Sequence, residues 1–157
     1  MVILGIDPGS RAMGYGVISA VSSKLTAVEY GVVKLNPKDE LPLRLTGIYG
    51  GIKEIIAKYK PDLISVESPF FGKNAHSSFV LGHARGVIML AVGQSGAKFA
   101  EYAPNEIKKA LTGNGLADKS QVEYMVRAIL ALPPDKIKDD AFDALAAAIC
   151  GFNHCKM

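Results

Sequence analysis

The 157-residue chain has no tryptophan, two cysteines and three histidines. Cys150 and Cys155 lie near the C-terminal end without C-x-x-C spacing, so two free thiols are expected rather than a disulfide framework or redox motif. Cys150 and His154 are four residues apart, but two ligands do not make a zinc site. Long apolar runs are also missing. The longest candidate, from Phe79 to Val92, is broken by His83 and Arg85, so no membrane span is expected. Asp7 and Arg11 interrupt the first apolar run, which argues against a signal peptide and for a cytoplasmic location. Strong charge of one sign is absent too. Eighteen Lys and Arg face fifteen Asp and Glu, a net +3, which is compatible with a polyanionic partner but too mild to identify one.

What is present is a chain 49% hydrophobic and 21% charged, globular in composition and of a length suited to one domain spanning residues 1–157. The stretch Val2 to Gly16 organises it. Val2, Ile3, Leu4 and Ile6 form a short apolar run that suits a strand buried on both faces. It ends in Asp7 and is broken by Pro8-Gly9. A carboxylate at the end of a buried strand is costly unless paired; the alternative reading is an Asp that caps its own turn, as Asx turns do. Strands are predicted over 12–20 and 24–35, and the short links suggest an antiparallel meander. Leu45, Ile48, Ile52, Ile55 and Ile56 have helical spacing, which predicts a helix from Leu43 to Lys60 that Gly50-Gly51 either weakens or lets pack closely. DLISVE predicts a buried strand ending in Glu67, followed by the loop SPFFGKN.

A helix is predicted over 76–94, a short strand over 97–102 and a helix beginning near Pro104. Ser120 and Glu123 match a capping box, predicting a helix from there to about Leu130. Pro133-Pro134 ends it, and a last helix starts near Lys138. The order β-β-β-α-β-α-β-α-α-α predicts an α/β fold, one mixed five-stranded sheet flanked by helices.

Asp7 and Glu67 each end a strand of that sheet, where ligands gather in open α/β folds. Asp140 and Asp143 share one helical face, and the alanines beyond them let the helix lie close to the sheet. Acids also favour a helix start for the dipole alone. Together, however, four convergent carboxylates repel one another and need cations. Two Mg²⁺ ions, which take carboxylate and phosphate oxygens, would remove that cost and suit phosphodiester hydrolysis.

Four segments carry a resemblance: GIDPGSRAMGYGVI, VESPFFGKNAHSSFVLGHARG, YAPNEIKKALTGNGLADKSQV and DDAFDALAAAI. In that order, they resemble the RuvC-type Holliday junction resolvases of the ribonuclease H-like superfamily. The resemblance implies a homodimer that binds four-way DNA junctions and nicks two strands of like polarity symmetrically. It also implies two Mg²⁺ ions, replaceable by Mn²⁺, and work beside the RuvA–RuvB branch migration complex. The family's acidic tetrad falls on Asp7, Glu67, Asp140 and Asp143, because its D-x-x-D-A-L pattern excludes Asp139. Its junction-stacking aromatic falls on Phe70, with Phe71 read as core, and its basic positions fall on Lys108 and Lys119. Arg11 and Lys73 flank the site and are either phosphate contacts or surface charges. His83 and Arg85 are read as packing or interface residues without a catalytic role.

Three other readings compete. A silent junction-binding scaffold would be favoured by loss of one acid. An actin-like ATPase needs two such domains. A YqgF-type ribonuclease H-like protein starts similarly but would act on RNA.

Overall fold

In the computed structural model, which describes residues 1–68 and 74–155, three strands come first: β1 (Val2–Asp7), β2 (Ala12–Val21) and β3 (Lys24–Lys34). Helix α1 (Leu41–Tyr59), β4 (Leu63–Glu67), α2 (Ala75–Gly93) and β5 (Lys98–Tyr102) follow, then α3 (Pro104–Thr112), α4 (Lys119–Leu130) and α5 (Asp139–Cys155). The strands form one sheet in the order β3-β2-β1-β4-β5. The first three strands are antiparallel, whereas β1, β4 and β5 run parallel. The expected mixed sheet and element order are therefore both present.

The N-cap of α4 lies two residues earlier than expected, because its capping box is Asp118 with Gln121, not Ser120 with Glu123. The Asp118 carboxylate accepts from the Gln121 N–H while the Gln121 amide oxygen accepts from the Asp118 N–H. Gly50-Gly51 does not break α1. A Cβ at Gly51 would sit 2.9 Å from Val33, so that glycine permits a close approach to β3, while Gly50 faces open space.

The pleat decides which side chains meet. Residues two apart on a strand share a face. Leu4 and Ile6 of β1 pack with Ile48 and Ile52 of α1 and Ile88 of α2. Ile3 points the other way, into the core beneath α5 with Leu145 and Ile149. Gly5 and Asp7 follow Ile3 on that face. Likewise Leu63 belongs to the α5 core, and Ser65 donates a 2.6 Å hydrogen bond to the Ala147 carbonyl of α5. Glu67 follows on the same face.

Helix α5 lies unusually close to the sheet because the strands present glycines to it. A Cβ at Gly5 would sit 1.9 Å from the Ala144 carbonyl oxygen, one at Gly14 would sit 2.0 Å from that of Asp140, and one at Gly16 would meet Leu145 at 2.7 Å. No L side chain fits there with the helix where it is. Ser65 is completely buried and ties β4 to this helix. Ser65→Ala is expected to cost about 1 kcal/mol, the net worth of such a bond. That corresponds to a fall of roughly 2–4 °C in melting temperature for a protein of this size. An unchanged thermal melt would show that the bond contributes nothing.

Candidate active site

The fold brings the four sequence-selected acids to one end of the sheet. Asp7 and Glu67 are the last residues of adjacent parallel strands, both on the α5 face. Asp7 is paired in register with Gly14, and the Asp140 backbone lies directly over that glycine. Asp140 therefore sits beside Asp7, with Asp143 one turn further along α5. The small residues of β2 and α5 make this convergence possible.

The proximity has electrostatic consequences. Burial, followed by the charges of Glu67, Asp143 and Asp140, pushes the Asp7 carboxyl up to about 8. Burial and Asp143 push Glu67 up to about 7, against the pull of Lys108 and Lys119. Asp143 is also raised, chiefly by burial, with Lys119 opposing. No hydrogen bond among the described residues offsets the burial of Asp7 or Glu67. Among the described residues, no three His, Cys, Asp or Glu side chains form a ready-made cation cage. The donor set is nonetheless all hard carboxylate oxygen, partly buried and under mutual repulsion, which fits a divalent cation such as Mg²⁺.

Both sequence-selected lysines reach this place. A cavity of about 220 Å³ is lined by Glu67, Lys108, Lys119 and Asp143, with Pro104, Ile107, Val122 and Ala146 as its apolar wall. The Lys119 Nζ lies 2.9 Å from an Asp139 carboxylate oxygen and 3.9 Å from one of Asp143. The hydrogen bond to Asp139 raises the Lys119 ammonium and lowers the Asp139 carboxyl. Asp139 is thus the residue that sequence reasoning set aside as a register neighbour, yet it anchors the lysine beside the acids. An acid immediately before the D-x-x-D pair was the available signal.

Arg11 is exposed on the β1–β2 turn, where its carbonyl accepts from the Leu35 N–H. A second residue that sequence reasoning missed supports this turn: Arg44 of α1 donates from Nη1 to the Ser10 carbonyl, three residues beyond Asp7. Phe70, Phe71 and Lys73 lie outside the described residues. His83 donates back to the Phe79 carbonyl, and Arg85 pairs with Glu101, joining α2 to β5. Neither lies among the acids. Cys150 and Cys155 are both free thiols. Burial pushes Cys150 up to about 12, so it is an inert core thiol.

The profile of the family described as "Crossover junction endodeoxyribonuclease RuvC" matches residues 3–151. The chain belongs to the RuvC family of crossover junction endodeoxyribonucleases. Proteins of that description from Desulforamulus reducens and Pelotomaculum thermopropionicum are similar to it. The first is 45% identical over 150 residues, covering 96% of this chain and 92% of the relative. The second is 43% identical over 154 residues, covering 98% and 94%. Among solved structures, "T. thermophilus RuvC in complex with Holliday junction substrate" is 32% identical, covers 100% of this chain and 96% of that one, and superposes with a TM-score of 0.94. The yeast mitochondrial Holliday junction resolvase Ydc2, 14% identical with a TM-score of 0.71, shares the fold. The RuvC match, running through almost the whole chain, decides between the two ribonuclease H-like families that begin alike.

Proposed function

We propose that this RuvC-family chain is a structure-selective endonuclease that resolves four-way DNA junctions in recombination and repair. Its acids are Asp7, Glu67, Asp140 and Asp143. The observation that carries this reading is their convergence at the ends of β1 and β4, with Lys108 and Lys119 lining the same cavity. When bound, two Mg²⁺ ions, or Mn²⁺ in their place, supply an activated water and stabilise the leaving oxygen of a phosphodiester. The tetrad would hold them, and the high proton affinity of Asp7 and Glu67 is what cation binding would displace. Lys119 and Lys108 would meet the scissile phosphate, where a cation offsets the charge that develops in the transition state. Arg11, Lys73 and an aromatic contact from Phe70 extend the proposal to the surrounding strand.

We read the protein as a cytoplasmic homodimer making paired nicks in strands of like polarity, beside the RuvA–RuvB complex. Among the described residues, no helix is long and apolar enough to cross a membrane. The outward face of α2 supports a dimer. Phe79 and Leu90 are 69% and 56% exposed there, and Gly82, Gly86 and Gly93 of the same helix face open space. Small residues beside exposed apolar ones permit a second helix to approach closely. Leu90→Lys is expected to shift the species seen by sedimentation from dimer to monomer. Monomeric wild type at micromolar concentration would contradict the dimer.

The direct test is cleavage of a synthetic four-way junction and of linear duplex, each with Mg²⁺. Paired symmetric nicks in the junction and an intact duplex are expected. Tight junction binding without cutting, in both Mg²⁺ and Mn²⁺, would instead identify a scaffold. Equal treatment of junction and duplex would overturn the junction reading.

A further inference from the structure

Arg44 lies where the apolar stripe of α1 ends. Ile48 and Ile52 of that helix pack with Leu4 and Ile6 of β1. Arg44 is one turn before Ile48 on the same helical face, so it reaches past this core to the chain that leaves β1. That chain, Pro8 to Arg11, joins Asp7 to β2. It is held from two sides. The Arg44 Nη1 donates to the Ser10 carbonyl at 3.3 Å, and the Leu35 N–H, just past β3, donates to the Arg11 carbonyl at 3.2 Å. The turn is also tight: a Cβ at Gly9 would sit 2.1 Å from the Ala12 carbonyl oxygen. An arginine is a costly way to make so long a bond. Its Nε is buried and, among the described residues, has no acceptor. No carboxylate among them pairs with its charge either. An unpaired buried donor loses more than one ordinary hydrogen bond restores. A methionine fills similar space with neither cost. Stability alone therefore does not account for an arginine here.

We propose that Arg44 is a positioning residue: it fixes the turn that follows Asp7 and so presets the Asp7 carboxylate for a divalent cation. Asp7 shares the α5 face of the sheet with Ile3, whereas Arg44 comes from α1 on the opposite face. Its effect on the acid therefore passes through the main chain. The backbone of Asp7 is fixed on one side by its pairing with Gly14 and on the other by the turn that Arg44 holds. A carboxylate held in place by its surroundings binds a metal more tightly than one that must first be ordered. The inference rests on the metal-dependent cleavage proposed above and adds to it the residue that holds the first of the acids ready.

The test compares wild type with Arg44→Met. Without metal, the variant should melt within a few degrees of wild type or above it, because it sheds the orphaned donor. In Mg²⁺ titrations followed by melting temperature, it should need roughly tenfold more Mg²⁺ to reach half of its shift. The Leu35 amide should lose hydrogen-exchange protection, since the carbonyl it faces is no longer held from α1, while the amides of Leu4 and Ile6 keep theirs. Junction binding in metal-free buffer should be unchanged. A variant that melts far below wild type, or does not fold, would make Arg44 an ordinary structural residue and overturn the proposal. An unchanged Mg²⁺ requirement would overturn it too. Weakened junction binding without metal would replace it with a phosphate contact. If Mg²⁺ does not stabilise wild type, the metal-dependent reading of the acids has itself failed, and Leu35 exchange alone then decides whether Arg44 holds the turn.

Discussion

Asp7→Asn is expected to raise the melting temperature of the metal-free protein at pH 8 while removing its strand cleavage. Asp7 is half-buried beside three other carboxylates, and its carboxyl rises from 3.8 to about 8. A raised carboxyl means that the folded state binds the proton more tightly than the unfolded chain does. Below about pH 4 the group is protonated in both states and the substitution changes little. As pH climbs from there to about 8, ionisation increasingly penalises the folded state. At roughly 1.4 kcal/mol per pKa unit, the penalty reaches several kcal/mol. An uncharged Asn escapes it, so a gain of roughly 5–10 °C is expected at pH 8, shrinking toward nothing at pH 4. Mg²⁺ should reverse the ranking, stabilising wild type more than the variant. Cleavage should fall by roughly a thousandfold or more, since metal-assisted charge stabilisation is worth several kcal/mol. Junction binding should persist. Melts of both proteins across this pH range, with and without Mg²⁺, check the argument. A variant less stable than wild type at pH 8 without metal would mean that Asp7 is a structural acid.

Gly5→Ala should cause the largest loss of stability. The added Cβ would lie 1.9 Å from a carbonyl oxygen of α5, so the helix must retreat by roughly 1 Å. That helix buries eleven residues, from Ala141 to Phe152. Loosening so much packed surface is expected to cost about 3 kcal/mol or more, a fall of roughly 6–12 °C. Because Asp140 and Asp143 ride on α5, cleavage should drop even where the protein still folds. Gly50→Ala is the contrast. It faces open space within a helix and should stabilise by up to about 1 kcal/mol. Thermal melts of the two variants separate a generic glycine effect from a contact effect. Equal shifts would refute the close-packing account.

The architecture was legible because its punctuation is local. Pro8-Gly9, Pro61 and Pro133-Pro134 mark the ends of apolar runs, and the spacing of Ile48, Ile52 and Ile55 marks a helix. The convergence of the acids was legible because Asp7 and Glu67 each close such a run. What was not legible depends on choices between near-equivalent neighbours or on contacts across the fold. Asp118 and Ser120 both make good helix caps, and the chain uses the first. Asp139 is adjacent in sequence to Asp140, but only the return of α5 toward α4 shows that it holds Lys119. Arg44 looks like an ordinary helical charge until α1 is seen beneath the turn at Ser10. Gly5, Gly14 and Gly16 read as small strand residues, and nothing local says that a helix backbone lies against them.

The contact at Gly5 and Gly14 also limits how this protein can evolve. The atoms that exclude a side chain there are main-chain carbonyl oxygens, of Ala144 and Asp140. Clashes with side chains can be compensated by a smaller residue opposite, so paired changes drift together over time. A clash with the main chain has no such partner, because every amino acid carries the same carbonyl. No single replacement on α5 can therefore suppress Gly5→Ala or Gly14→Ala by making room. Selection from a random library should return only revertants at these two positions, while the surface turn carrying Leu116 stays open to change. The floor beneath the four acids is frozen, and variation must arise at the rim of the cluster.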